Sequence, residues 1–157
     1  MTVTLNGILS AETTHLPQVA VTTLALTGGS VNDVFTIAGG PIELLGLVTH
    51  VTTAVSNNAC TFKWQLDPTI GALSTDLCDD VATIALAALG DCFYITGASA
   101  SAQVKAANGT VVPLSCVVRA ILFPGGIDAV LGNSDPTTGA ATVYMLYRRM
   151  TATATVT

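Results

Sequence analysis

Apolar and polar residues alternate with a period of two over much of this chain. The clearest run places Phe62, Trp64 and Leu66 on one face of an extended segment and polar residues on the other face, namely Thr61, Lys63 and Gln65. Successive side chains of a β-strand point to opposite faces, so this run predicts a strand with one buried and one hydrated face. Few windows show the 3.6-residue period of a helix, and the chain is therefore predicted to be nearly all strand and loop.

Turn-forming residues divide the chain into about ten such strands. Glycine, proline, asparagine and aspartate occupy the breaks because they suit the positive or fixed φ angles of tight turns, and the breaks are Gly28-Gly29-Ser30, Gly39-Gly40-Pro41, Asn57-Asn58, Asp67-Pro68, Pro124-Gly125-Gly126 and Gly132-Asn133-Ser134-Asp135-Pro136. Many short strands without alternating helices are typical of a sandwich or barrel. The predicted fold is a single antiparallel β-sandwich domain over residues 1–157, jelly-roll-like. Its two ends, at 1–16 and 148–157, are predicted to form weak edge strands or extended arms.

Three runs are apolar on both faces and are predicted to be central strands of the sandwich or strands at a subunit contact. They are the first half of Pro41 to Val55, the segment Leu114 to Phe123, and Val143 to Tyr147. A fourth apolar segment, Val81 to Leu89, is ambiguous because its Ala and Leu residues favour a helix while Thr83 and Ile84 favour a strand. We assign it as a strand.

The sequence also predicts one hairpin. Asn108-Gly109 lies between Gln103 to Ala107 and Thr110 to Leu114, and a two-residue type I′ turn requires positive φ at both central positions. Because proline has no N–H for the ladder, Pro113 places its strand at an edge or at a bulge.

The charge and the apolar runs of the sequence exclude two classes of partner, nucleic acids and membranes. The formal net charge is −5 with five Lys and Arg, so the counterion release that drives nucleic-acid binding is weak and no nucleic acid is expected. No membrane is expected either, since the longest uncharged apolar run falls short of about 20 residues, and the first residues do not resemble a secretory signal. Charged residues make up 10% of the chain, where about 25% is typical. Low charge suits a subunit that buries further faces against copies of itself or a partner, although a low-charge monomer is the alternative.

The sequence predicts no metal site and no disulfide. Cys60, Cys78, Cys92 and Cys116 include no C-x-x-C pair, and we interpret them as reduced core residues. A Ca²⁺ site needs more oxygen ligands than one acidic turn supplies. We therefore interpret Asp76, Asp79 and Asp80 as a surface turn.

No constellation in the sequence predicts catalysis or a cofactor. Gly97-Ala98-Ser99-Ala100-Ser101 lacks the second glycine and the following helix of a nucleophile elbow, so it is interpreted as a loop. His50 lies in the polar half of a strand, and His15 precedes Pro17 in a predicted loop. The catalytic and metal sites are both predicted to be absent.

Four segments resemble a group of small virion proteins from tailed phages: Gly40 to Thr53, Thr75 to Cys78, Asp91 to Gly97, and Gly139 to Tyr147. The resemblance covers about residues 33 to 147 and consists of turn glycines and apolar strand patterns. It implies a structural part of a virion and brings no catalytic residue with it. Decoration proteins that resemble this chain in size and β-content are trimers on the outer capsid lattice, where they tie neighbouring capsomers together.

These observations predict a non-enzymatic capsid decoration, or cement, protein. Its expected partners are two further copies of itself in a homotrimer and a major capsid protein. Its expected location is the capsid surface after assembly in the host bacterial cytoplasm. The alternatives are another virion component, such as a head fibre base, a minor tail protein or a receptor-binding protein, and a carbohydrate-binding β-sandwich.

An unpaired strand edge can accept a neighbour's strand. The expected assembly contact is therefore the N-terminal arm, at Thr2, Val3, Thr4 and Leu5.

Overall fold

The computed structural model describes residues 16–28, 31–71, 73–81, 83–107 and 119–157. Within these ranges the chain forms eleven β-strands arranged in two antiparallel sheets. The strands are β1 (Gln18–Ala25), β2 (Val31–Ala38), β3 (Ile42–Thr53), β4 (Cys60–Pro68), β5 (Thr75–Asp76), β6 (Cys92–Tyr94), β7 (Val104–Ala106), β8 (Ala120–Leu122), β9 (Gly125–Asn133), β10 (Ala140–Arg149) and β11 (Thr155–Val156).

The strand order is that of a jelly roll. The six-stranded sheet has the order β1-β10-β3-β6-β7, with β8 also pairing with β3, and the five-stranded sheet has the order β11-β2-β9-β4-β5. Strands that follow one another in the chain, such as β1 and β2 or β9 and β10, lie in opposite sheets, as two Greek keys require. The predicted all-β sandwich with jelly-roll character is confirmed.

The core lies between the two sheets and follows the alternation seen in the sequence. On β4, Phe62 and Trp64 are fully buried, while Lys63 and Gln65, which alternate with them, are half-buried on the outer face. The Phe62 and Trp64 ring centroids are 5.2 Å apart in an edge-to-face arrangement. One continuous set of buried side chains from both sheets surrounds them.

The two-sided apolar run at Pro41 to Val55 becomes β3, the central strand of the six-stranded sheet. It pairs with β10 on one side and with β6 and β8 on the other. The register with β10 shifts between Leu146, which pairs with Gly46, and Tyr147, which pairs with Leu44. Leu45 is thus the extra residue of a bulge and is buried.

The prediction of a strand at Val81 to Leu89 is wrong. Val81 forms an isolated bridge to Phe62, and residues 83–89 form turns and irregular loop. The Val81 N–H donates to the Phe62 carbonyl and the Ile84 N–H donates to the Cys60 carbonyl, so three residues of this segment span two residues of β4 and the pairing does not continue as a regular ladder. Leu86 has a φ of +56°. The apolar content is explained by Ile84 and other side chains that enter the core.

The C-terminal residues 148–157 fold back onto their own chain, so of the two predicted forms they take the edge strand and not the extended arm. Arg148 and Arg149 complete β10, and β11 adds to the edge of β2. The Thr36 N–H donates to the Thr157 carbonyl at 2.8 Å, and Ala154 is buried in the core. These backbone bonds make the C-terminus a short edge strand.

Other predictions fall outside the described residues. They are the Asn108-Gly109 hairpin, Pro113 at its edge, and most of the N-terminal arm at 1–16. Within the described ranges, no helix has the length and apolarity that a membrane crossing requires.

Candidate assembly surfaces

An apolar surface crosses the outer face of the six-stranded sheet. Antiparallel partners point to the same face, and the register aligns Val21, Tyr144, Val48, Tyr94 and Val104 in one row from β1 to β7. The next row contains Val19, Leu146 and Gly46. We call the seven side chains of these rows the apolar band, namely Val19, Val21, Val48, Tyr94, Val104, Tyr144 and Leu146.

The apolar band is wide and contains no charged residue. Its side chains together expose on the order of 400–500 Å², in the upper part of the roughly 300–600 Å² that the largest patch of a monomer reaches. One boundary is the ion pair of Glu43 with Arg148, whose Nη1 lies 2.7 Å from a carboxylate oxygen of Glu43. The other is the row of Thr23, Thr142 and His50. Both boundaries are polar, as is the rim of a protein interface.

The apolar band reaches the sheet edge at β1. All eight residues of β1 pair regularly with β10, without a bulge, and none of them is charged or proline. Natural edge strands are commonly protected by charges, proline or bulges against pairing with another chain. In the described part of the chain, no strand pairs with the other side of β1. This edge is therefore suited to contact another sheet.

A second apolar surface lies where β4 ends and β9 begins. Pro68, Ile70, Phe123 and Pro124 line a groove of about 420 Å³ together with Leu66 and Thr75. Ile70 is almost fully exposed and Phe123 is 63% exposed. The Thr69 N–H donates to the Pro124 carbonyl at 2.9 Å and joins the two loops. We call Pro68, Ile70, Phe123 and Pro124 the loop-end cluster.

The acidic turn at Asp76, Asp79 and Asp80 does not converge on one point. Asp76 accepts hydrogen bonds from Lys63 and from Gln65, each at 2.9 Å. The bond from Lys63 holds the pKa of Asp76 below its usual value. Asp79 and Asp80 are exposed, and an Asp79 carboxylate oxygen accepts from the Asp80 N–H. Across the described ranges, no three His, Cys, Asp or Glu side chains form a group that could hold a metal ion.

The candidates weighed for catalysis lie apart. His50 lies on β3 beside Thr142 and Cys92. Ser99 is in an exposed turn in which the Ser101 N–H donates to the Ala98 carbonyl. Thr2, Val3, Thr4, Leu5 and His15 lie outside the described residues.

The aromatic side chains do not form the exposed platform that a carbohydrate-binding site would need. Trp64 is fully buried and Tyr147 is nearly so. Tyr94 and Tyr144 are partly exposed and belong to the apolar band. The prediction that Trp64 is a core residue is confirmed.

Three of the four cysteines are free and buried, as predicted; Cys116 lies outside the described residues. Burial raises the pKa of the Cys78 thiol to about 11 and also raises the pKa values of Cys60 and Cys92. The backbone N–H of Trp64 donates to the Cys78 sulfur at 3.3 Å.

We expect Cys78 to resist alkylation in the folded protein. Because its pKa is raised to about 11, the thiolate fraction of Cys78 at pH 8 should be about a hundredfold below that of an unperturbed thiol. Alkylation should slow in proportion, since the thiolate is the reactive form. Iodoacetamide labelling followed by peptide mass spectrometry should show slow modification of Cys78 in buffer and complete modification in guanidinium chloride. Equal rates in the two conditions would contradict the burial.

Sequence reasoning missed one pair of acidic residues. Asp33 on β2 and Asp128 on β9 are cross-strand partners on the outer face of the five-stranded sheet. Asp33 is exposed, whereas Asp128 is only 4% exposed. A lone aspartate in the apolar run Ile127 to Leu131 was the available signal, but its partner could not be read from the sequence.

The solved structures that this chain resembles include two of infectious bursal disease virus. No family model and no curated protein matches the chain. The structure of infectious bursal disease virus Gt strain has 12% sequence identity and a TM-score of 0.33, over 89% of this chain and 39% of that chain. The structure of the Gx strain has 12% identity and a TM-score of 0.31, over 88% and 39%. The present chain thus spans about two fifths of the viral chains that it matches.

Proposed function

We propose that this chain is a non-enzymatic decoration protein that stabilises the capsid of a tailed phage. The observation that carries the proposal is the pair of apolar surfaces, the apolar band and the loop-end cluster, on different parts of one small domain. A cement protein has to contact its own copies and the shell, and it needs a surface for each.

The apolar band is assigned to contacts between copies. It is free of charge and continuous with the edge at β1, where no strand of the described residues pairs, and these features suit packing against another sheet. A standard interface buries about 800 Å² per partner, and the band together with its polar boundary provides an area of that order. Three copies that bury their bands around a three-fold axis give the homotrimer.

The loop-end cluster is assigned to the major capsid protein. Ile70 and Phe123 project from loops and leave a groove between them, and exposed apolar side chains of this kind act as anchors in interfaces. A subunit that binds only the assembled lattice stabilises it by RT ln(1 + [L]/Kd) per site. The function is therefore mechanical.

Two further observations support a virion role. The jelly roll recurs in viral capsid and lectin domains, although a fold alone does not define a function. The segments that resemble tailed-phage virion proteins include most of β3 and β10, which carry Val48, Tyr144 and Leu146 of the apolar band.

The contact between copies is tested by one substitution and a matched control. We expect wild-type protein to have the mass of a trimer by light scattering and Val21→Lys to have the mass of a monomer, because the new charge would be buried among apolar side chains. Val31→Lys, at an equally exposed valine on the opposite sheet (58% against 56%), should remain a trimer. A monomeric wild-type protein would refute the assignment.

Contact with the shell is tested by co-sedimentation with expanded, undecorated capsids. Wild-type protein should sediment with the capsids, and Phe123→Ser should remain a trimer but fail to bind. Leu89→Ser, at a leucine of similar exposure, should bind normally. If electron microscopy located the protein on the tail instead, it would be a minor tail or receptor-binding protein.

A further inference from the structure

The Asp128 carboxyl is buried without a bonding partner for one of its oxygens. Asp128 lies in the centre of the five-stranded sheet, paired with Asp33 on β2 and with Gln65 on β4. Its Oδ1 is buried and accepts no hydrogen bond in the structure. A buried carboxylate oxygen without a donor is strongly disfavoured, so an additional proton or cation is needed there.

The two β4 side chains beside Asp128 that could donate are bonded to another carboxylate. On β4, Lys63 and Gln65 both bond to Asp76 of β5. Asp67, one row further along β4, pairs with Gly126 and adds a negative charge. The charged groups that face Asp128 are therefore Asp33 and Asp67, with Lys63 engaged by Asp76.

Asp33 and Asp128 also share one small space. A Cβ atom built on Gly126 would lie 3.2 Å from Asp128 Oδ1 and 3.9 Å from Asp33 Oδ1. Both carboxyl oxygens thus border the space that a side chain at Gly126 would fill, and the Asp128 carboxyl lies within hydrogen-bonding reach of the Asp33 carboxyl. Two carboxylates this close do not both stay ionised, because each charge opposes the other.

We propose that Asp33 and Asp128 together bind one proton, and that the hydrogen bond made by this proton joins β2 to β9. The proton is carried by Asp128, the more buried group, which donates to a carboxylate oxygen of Asp33. When the proton leaves, two negative charges face each other across the β2–β9 ladder. The pairing of β2 with β9 is therefore stabilised at low pH and weakened at high pH, and β11, which pairs with β2, is affected with it.

The pKa of Asp128 sets the pH range over which the shared proton stabilises the fold. Burial, followed by the hydrogen bond and charge of Asp33, raises the pKa of Asp128 to about 6. An acid whose pKa is raised by folding holds its proton more tightly when folded, so its contribution to stability is complete below about pH 4 and is lost as the pH rises through 6. The unfolding equilibrium constant should therefore rise about tenfold per pH unit over this window.

The test compares wild-type protein with Asp128→Asn in urea titrations from pH 4 to pH 7. Asparagine keeps the shape and supplies N–H donors without a charge. The unfolding constant of wild type relative to Asp128→Asn should increase about a hundredfold between pH 4 and pH 7. Asp79→Asn, at an exposed aspartate, is the control and should follow wild type.

Carboxyl ¹³C NMR of the wild-type protein keeps the test independent of any variant's folding. Asp128 should titrate near pH 6, and Asp33→Asn should lower that midpoint by at least about one unit. A midpoint near 4 for Asp128, or parallel pH profiles for wild type and Asp128→Asn, would overturn the proposal. So would stabilisation of wild type, but not of Asp128→Asn, by millimolar Ca²⁺ at pH 7, which would make the pair a cation site.

Discussion

Replacing Trp64 by alanine should lower the free energy of unfolding by about 3–5 kcal/mol, the range observed when a large aromatic side chain is removed from a core. Trp64 is fully buried between the two sheets, in edge-to-face contact with Phe62. Its removal loses the transfer free energy of the ring and leaves a cavity that β-sheets on both sides cannot easily close. Urea denaturation followed by circular dichroism measures the loss.

A second substitution at the same position separates packing from hydrogen bonding. The Trp64 indole N–H is buried without a hydrogen-bond acceptor in the structure. Trp64→Phe removes this unsatisfied donor while keeping much of the ring volume, so it should cost clearly less, about 1–2 kcal/mol. If Trp64→Ala cost under 1 kcal/mol, Trp64 would not be a core residue.

The local sequence pattern was sufficient to predict β3, β4 and the general sandwich architecture. The alternation at Phe62 and Trp64 depends only on the two-residue period of a strand, and the two-sided apolarity of β3 depends only on its central position. Both follow from the chain itself. The jelly roll was then predicted from the number and spacing of such strands.

Val81 to Leu89 shows where local pattern fails. Its Ile84 side chain is apolar because it enters the core, but the backbone there follows β4 with an irregular offset. Burial alone does not require a strand. The sequence indicates that a residue is buried more reliably than it indicates which hydrogen bonds its backbone makes.

The surfaces of interest depend on register between distant strands and could not be predicted. Tyr144 joins Val21 and Val48 in one row only because β10 lies between β1 and β3. Likewise, Asp33 meets Asp128 because β2 pairs with β9, far along the chain. Long-range pairing of this kind leaves no local signal, and a shift of one residue would move every side chain to the other face.

The second large expected effect concerns an ion pair whose carboxylate is buried and whose cation is partly exposed. Lys105 Nζ on β7 lies 2.8 Å from a carboxylate oxygen of Asp91, whose side chain is almost completely buried. The same Asp91 oxygen accepts from the Ala88 N–H at 2.8 Å, and Lys105 lies over the Phe93 ring. The pair therefore connects the short edge strand β7 with the turn before β6.

Lys105→Met should lower the free energy of unfolding by about 2–3 kcal/mol, because the almost fully buried Asp91 carboxylate loses the Lys105 cation but keeps its bond from the Ala88 N–H. Asp91→Asn should cost less, about 1–2 kcal/mol, since Lys105 is partly exposed and can turn to water. The double variant should be more stable than Lys105→Met alone, because the buried negative charge at position 91 is removed as well. Urea titrations of all four proteins complete the cycle, and a coupling energy under about 0.5 kcal/mol would show that the pair is no stronger than a surface salt bridge.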